Sequence, residues 1–177
     1  MGIGKTAACQ ILKKQIPKSV FLDGDWCWDM YPFQVTERTK SMVMDNICFL
    51  LNQFMDCGAF DNIIFCWVMH QQEIMDEILN RLDLRDTEVR AVSLLCNAEV
   101  LASRLQKDVD MGVREPDVIG RSIARLGQYA CLNTVKIDVS GLTPAQTAEA
   151  IRNAPPVRWI RRERMTDVSQ NGGEERK

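Results

Sequence analysis

The sequence predicts an α/β protein in three layers, with helices on both faces of a parallel sheet. Three observations carry that expectation. Short, nearly continuous apolar runs alternate with longer stretches of helical period along the 177 residues, the pattern of strands joined by right-handed crossovers. A Gly-Ile-Gly-Lys-Thr stretch at residues 2–6 opens the first helical run. An Asp-Gly-Asp at residues 23–25 closes the first apolar run.

In chain order, Ala7 to Lys14 is good helix sequence, broken at Pro17-Lys18. Ser19 to Leu22 reads as a short buried strand, and Tyr31-Pro32-Phe33 as a loop. Thr36 to about Cys57 is a long helix with Met44, Ile47, Leu50, Leu51 and Phe54 in step, stopped by Gly58. Ile63 to Met69 is short and wholly apolar, which suits a strand buried on both faces. Gln71 to Leu82 is helical, Val89 to Cys96 a strand, and Asn97 to about Met111 a helix. Gly112-Val113-Arg114 is a joint before a helix opening at Glu115-Pro116. Val135 to Val139 is the last strand. Thr143 then caps a helix with Pro144 first and Gln146 in the capping-box position, ending before Pro155-Pro156. Residues 1–153 are thus expected to form the domain and 154–177 a flexible tail, in which Arg158, Arg161, Arg162 and Arg164 crowd around Trp159. A helical basic patch that docks a partner is the other reading of that tail.

Composition narrows the classes. Apolar residues make up 46%, charged residues 26%, and the net charge is −2, which gives no general attraction to nucleic acid or anionic membrane. No apolar run reaches the roughly 20 residues of a membrane span. Seven scattered cysteines without a C-x-x-C pair predict reduced core thiols of a cytoplasmic protein, with neither a disulfide framework nor a zinc site. The single histidine, His70, cannot build a metal cluster.

The chemistry concentrates at two places. Residues 2–6 read as the back half of a phosphate-binding loop, G-x-x-x-x-G-K-[ST], whose backbone N–H groups cradle phosphate oxygens. Gly2 and Gly4 would shape the loop, Lys5 would reach the β- and γ-phosphates of ATP, and the Thr6 hydroxyl would sit on Mg²⁺. The helix behind them would aim its positive end at the same phosphates. The plainer reading is a flexible start before a helix. Asp23 and Asp25 fall at the carboxyl end of a strand, where open α/β sheets place their sites. A carboxylate there can accept a hydroxyl proton; alternatively, Asp-Gly supplies a turn. Trp26, Trp28, Tyr31 and Phe33 follow, and can line an acceptor pocket or lie under the long helix.

The order Gly-Ile-Gly-Lys-Thr, helix, strand, Leu-Asp-Gly-Asp resembles P-loop small-molecule kinases of the shikimate, gluconate and adenylylsulfate kinase type, and chloramphenicol phosphotransferase. Element order carries the resemblance over residues 2 to about 153, and the letters are specific at residues 2–6 and 22–25. The resemblance implies ATP-dependent transfer of a phosphoryl group to a small-molecule hydroxyl. It gives Asp25 the task of binding or deprotonating the acceptor, with Asp23 supporting it or Mg²⁺. Residues 93–105 look like the strand and helix leading into the lid, at about 107–125, and Ser140 follows a last strand whose loop edges the adenine. Many relatives carry a second arginine four positions after the one matching Arg104, where this chain has Asp108. The lid cation must then come from elsewhere, and Arg114 and Arg121 are expected to serve. The strand ending at Met69-His70 lacks the usual metal-binding Asp, so His70 is either a substrate contact or a polar strand end.

The first glycine of the motif and the strand that feeds it would precede Met1. A chain without that central strand is expected to leave two inner sheet edges unpaired, and about ten restored upstream residues are expected to raise stability and ATP affinity. Two further functional classes stay open. One is a nucleotide-binding regulatory protein, or truncated kinase, without turnover. The other is a polynucleotide kinase, against which the near-neutral charge argues.

Overall fold

The computed structural model describes residues 2–85 and 87–157; the basic cluster around Trp159 lies outside them. Among these residues four strands and seven α-helices follow in order: α1 (Lys5–Gln15), β1 (Ser19–Asp23), α2 (Glu37–Asp56), β2 (Asn62–Cys66), α3 (Gln72–Asn80), β3 (Val92–Leu95), α4 (Ala98–Asp110), α5 (Asp117–Ala124), α6 (Leu126–Ala130), β4 (Val135–Asp138) and α7 (Pro144–Arg152). A 3₁₀ turn over Gly24–Trp28 follows β1 directly.

All strand pairing is parallel. β1 lies beside β2 with Phe21 opposite Ile64 and Asp23 opposite Cys66, and β3 lies beside β4 with Ser93 opposite Lys136. The strands form two separate pairs, and among the described residues none joins β2 to β3.

Period-two alternation on the strands builds the three layers. Leu22 points to one face and packs with Val43, Ile47 and Leu51 of α2 and Ile78 of α3. Phe21, Ile64 and Cys66 point to the other and meet Cys9 and Leu12 of α1 and Ala148 of α7. Because side chains two apart on a strand share a face, Asp23 follows Phe21 onto the α1 side. That single consequence of register places a carboxylate beneath the first turn of α1. A third, smaller core joins Leu101 and Leu105 of α4 to Val118 of α5.

The structure shows the anticipated cap at Thr143 and stop at Gly58, and a capping box at Thr36 that the sequence reading does not name. Thr36 and Thr39 close a reciprocal capping box at α2, with Thr39 N–H donating to Thr36 Oγ1 at 3.1 Å. Thr143 and Gln146 close another at α7, behind Pro144. Gly58, just past α2, has φ 67°, the left-handed conformation expected of a helix stop.

Three boundaries differ from the sequence expectation. β2 ends at Cys66 and not Met69, so His70 stands beyond the strand on a connecting segment. β3 is trimmed to Val92–Leu95. The helix expected at Glu115 starts at Asp117 and is followed by a second, short one, α6. Apolar runs mark which segments are buried, but strand length depends on a partner to pair with, and sequence period does not carry that.

Candidate functional site

The loop ahead of α1 carries two glycines in left-handed conformations. Gly2 and Gly4 have φ 70° and 95°, conformations that side chains disfavour. Gly4 caps α1 without any side-chain hydrogen bond, and the first turn contains no acidic residue. Its first turn thus offers uncapped N–H groups and the positive end of the helix dipole.

Helix α4 fixes this loop from the side. A β-carbon at Gly2 would run into the Leu105 side chain. Arg104 donates to the Ile3 carbonyl at 3.4 Å and to the Val139 carbonyl at 3.0 Å. One guanidinium thus ties the loop to the end of β4, one residue before Ser140. The sequence aligned Arg104 with an arginine of the lid helix but gave no sign of this bridge, because its partners are backbone oxygens distant in sequence. Ser140 itself receives the Asn97 N–H on its hydroxyl at 3.0 Å.

Thr6 Oγ1 donates to Asp23 Oδ2 at 2.6 Å, a short charge-assisted bond. Asp23 is 4% exposed and its other oxygen accepts the Asp25 N–H at 3.1 Å. Asp23 therefore links the loop residue Thr6 to the turn that presents Asp25. The carboxyl of Asp25 is raised above the ordinary carboxylate range, first by the surrounding protein and then by the charge of Asp23, while Lys5 and Arg114 oppose the rise. Lys5, Thr6, Asp23, Asp25 and Arg114 are in this way brought together.

Gly24 between the two acids is obligatory. A β-carbon there would come within 2.5 Å of Trp67 Cγ, which lies against the turn. Gly24→Ala is expected to cost about 1–3 kcal/mol, the usual scale of overpacking, read as a lower urea midpoint at unchanged slope. An unchanged midpoint would mean that Trp67 swings aside freely and does not set the turn.

The remaining expected residues are placed as follows. Arg114 pairs with Asp108 at 2.9 Å, so the acid that occupies the second arginine's position holds the guanidinium felt at Asp25. Arg121 pairs with Asp117 on the exposed face of α5 at 3.0 Å. Trp26 is 53% exposed, its ring edge-on to Phe21 with centroids 5.3 Å apart. Trp28 is half-buried, packs against the α2 core and touches Phe33. Tyr31 and Phe33 are exposed. His70 has a buried Nδ1 with no hydrogen-bond partner among the described residues. Burial, and then the charge of Arg125, push its imidazole below the ordinary range.

For Mg²⁺ the donor set is compatible. Thr6 and Asp23 offer a hydroxyl and a carboxylate in contact. Mg²⁺ takes few protein oxygens and fills its shell with phosphates and water. No cluster of three or more His, Cys, Asp or Glu side chains suited to a metal occurs among the described residues.

A family model described as an AAA domain matches residues 1–122. The chain belongs to the AAA domain family. Its match covers the loop, both acids, α2 to α4 and most of α5. No curated protein matches the sequence. Among solved structures, this AAA domain chain is similar to the Deinococcus radiodurans tunicamycin resistance protein, at 16% identity and a TM-score of 0.58, over 85% of this chain and 92% of that one. It is also similar to a sugar kinase from Janibacter sp. HTCC2649, at 18% identity and a TM-score of 0.59, over 84% and 86%. At such identities the likeness establishes the fold, which is that of P-loop kinases. No helix among the described residues is long and apolar enough to cross a membrane.

Proposed function

We propose that this protein transfers the γ-phosphoryl group of ATP to a hydroxyl of a small molecule. The observation that carries the reading is the chain of contacts from loop to acid: Thr6 to Asp23, and Asp23 to the turn bearing Asp25. The raised proton affinity of Asp25, opposed by the charge of Lys5, supports reading the two as parts of one site. The sugar kinase among the structural neighbours, and the fold shared with it, support the same class.

In this reading the N–H groups after Gly4, together with Lys5, hold the phosphates. Asp25 accepts or orients the acceptor's hydroxyl proton. Arg114, steadied by Asp108, meets charge that develops on the transferring group, and Arg121 serves the outer lid over 107–125. Thr6, supported by Asp23, would hold Mg²⁺, which would supply neutralisation of phosphate charge. Ser140 edges the adenine, and Trp26, Trp28 and His70 line the acceptor side.

A screen of sugars, nucleosides and antibiotics, read as acceptor-dependent ADP release, tests the proposal. At least one acceptor is expected to stimulate release well above the ATP-only rate. ATP binding without stimulated release across the panel would favour a nucleotide-binding protein that does not turn over.

A further inference from the structure

The loop at residues 2–6 spans two separate cores. On one side Gly2 lies against Leu105, and Ile3 packs on the cluster of Leu101, Leu105 and Val118. On the other, α1 sits on the sheet through Cys9 and Leu12, which meet Phe21, Ile64 and Ala148. The Ile3–Gly4 peptide is the link between them, just ahead of Lys5 and Thr6.

The local chain does little to hold that peptide in one orientation. A peptide plane turns by opposed changes in ψ of the residue before it and φ of the residue after it. Gly4 has φ 95°, but glycine takes positive and negative φ with similar ease. No atom lies within 4 Å of where a β-carbon of Gly4 would stand, so packing adds no barrier there. The Gly4 carbonyl accepts the Ala8 N–H at 3.0 Å, which fixes the peptide after Gly4 and not the one before it.

Arg104 supplies the missing restraint. Its Nη1 donates to the Ile3 carbonyl at 3.4 Å and its Nη2 to the Val139 carbonyl at 3.0 Å. The helix that carries it, α4, is tied to the same end of β4, because the Asn97 N–H donates to Ser140 Oγ at 3.0 Å. In a trans peptide the C=O and N–H point in opposite directions. A carbonyl held toward Arg104 therefore aims the Gly4 N–H away from it. Gly4 is the N-cap of α1, so this N–H heads the donors at the positive end of the helix.

We propose that Arg104 is a positioning residue of the phosphate site, clamping the Ile3–Gly4 peptide to the end of β4 so that the Gly4 N–H keeps one direction for an anionic phosphate. The proposal rests on reading residues 2–6 as a nucleotide site. Arg104 acts through two backbone oxygens and not by touching the nucleotide. The role needs a fork of two nitrogens. Lysine carries the same charge on a single nitrogen and cannot reproduce it.

The test compares the full chain with Arg104→Lys and Arg104→Met by calorimetry. The probes are ATP and tripolyphosphate, which has the phosphates but no base. In Arg104→Lys both affinities are expected to fall about tenfold, within the range of coupling through packed elements, and at least as far in Arg104→Met. Equal losses for the two probes locate the defect in the loop. Full affinity in the lysine variant would mean that Arg104 acts by charge, which overturns the proposal. Weaker ATP with unchanged tripolyphosphate would make Arg104 a base contact and overturns it as well. A lower melt with both affinities kept reduces the arginine to a support of the fold. Should the lysine variant not fold, the parent decides by NMR. Its Gly4 amide is expected to give one sharp resonance that shifts when tripolyphosphate is added. Exchange broadening of that resonance without ligand would show that the peptide turns despite Arg104, against the proposal. A parent chain that binds neither probe counts against the nucleotide reading itself, and the role given to Arg104 falls with it.

Discussion

Lys5→Ala is expected to abolish ATP binding measurable by calorimetry while leaving the thermal melt close to that of the parent. The lysine follows the left-handed Gly4 and opens α1. Its charge opposes the rise in proton affinity at Asp25. In the closed loop it would be the one flexible cation among fixed N–H donors. Triphosphate binding at such a loop depends on charge, and charge-assisted contacts in a partly dry site are the strong ones. Stability should change little, because Lys5 is only half-buried and the packing of α1 rests on Ala8, Cys9 and Leu12. Affinity undiminished in the variant would put the nucleotide somewhere else on the molecule. A large drop in melting temperature would show that the lysine is part of the fold's own electrostatics.

How much of this was legible beforehand differs from residue to residue. Gly4, Lys5 and Thr6 announce themselves, because a phosphate loop must place glycine, cation and hydroxyl at fixed short spacing. Asp23 could be found by its position at the end of an apolar run, but its contact with Thr6 could not. That contact depends on which face of β1 turns to α1, and so on the choice of core residues among Phe21 and Leu22. The capping box at Thr143 was legible because both partners lie within one turn.

Long-range partners were not legible. Arg104 reads as a lid-helix arginine until its bonds to Ile3 and Val139 are seen. Asp108 reads as a lost cation until it is found holding Arg114. Trp26 and Trp28 look alike in the sequence, yet one is largely exposed and the other packs on the α2 core. The difference comes from the 3₁₀ turn, whose three-residue period sends neighbouring rings to different sides. Cys9 and Cys66, 57 positions apart in the sequence, share one buried cluster because α1 packs on the sheet.

Asp25→Asn is expected to lower phosphoryl transfer by roughly 10²-fold or more, the usual scale for a positioned base, with ATP affinity nearly intact. The substitution keeps the side chain's shape and leaves the Asp25 N–H bond to Asp23 in place. What it removes is the proton acceptor. In the parent, turnover should rise with pH along a limb set by Asp25, above the ordinary value of 3.8, because burial and Asp23 disfavour its charge. The variant should lack that limb. Stability should move the opposite way. With its proton affinity raised by folding, Asp25 binds more protons folded than unfolded between 3.8 and its raised value, so the parent loses stability as pH rises through that window. Asparagine carries no charge at any pH and escapes the loss. The variant should therefore melt higher than the parent at pH 7, and the advantage should vanish below 3.8, where both side chains are neutral. Melting curves at the two pH values and a pH profile of turnover separate the outcomes. Unchanged turnover would reduce Asp25 to a turn residue. A lower melt at pH 7 would mean that its charge is stabilised by the site, against the direction that burial and Asp23 impose.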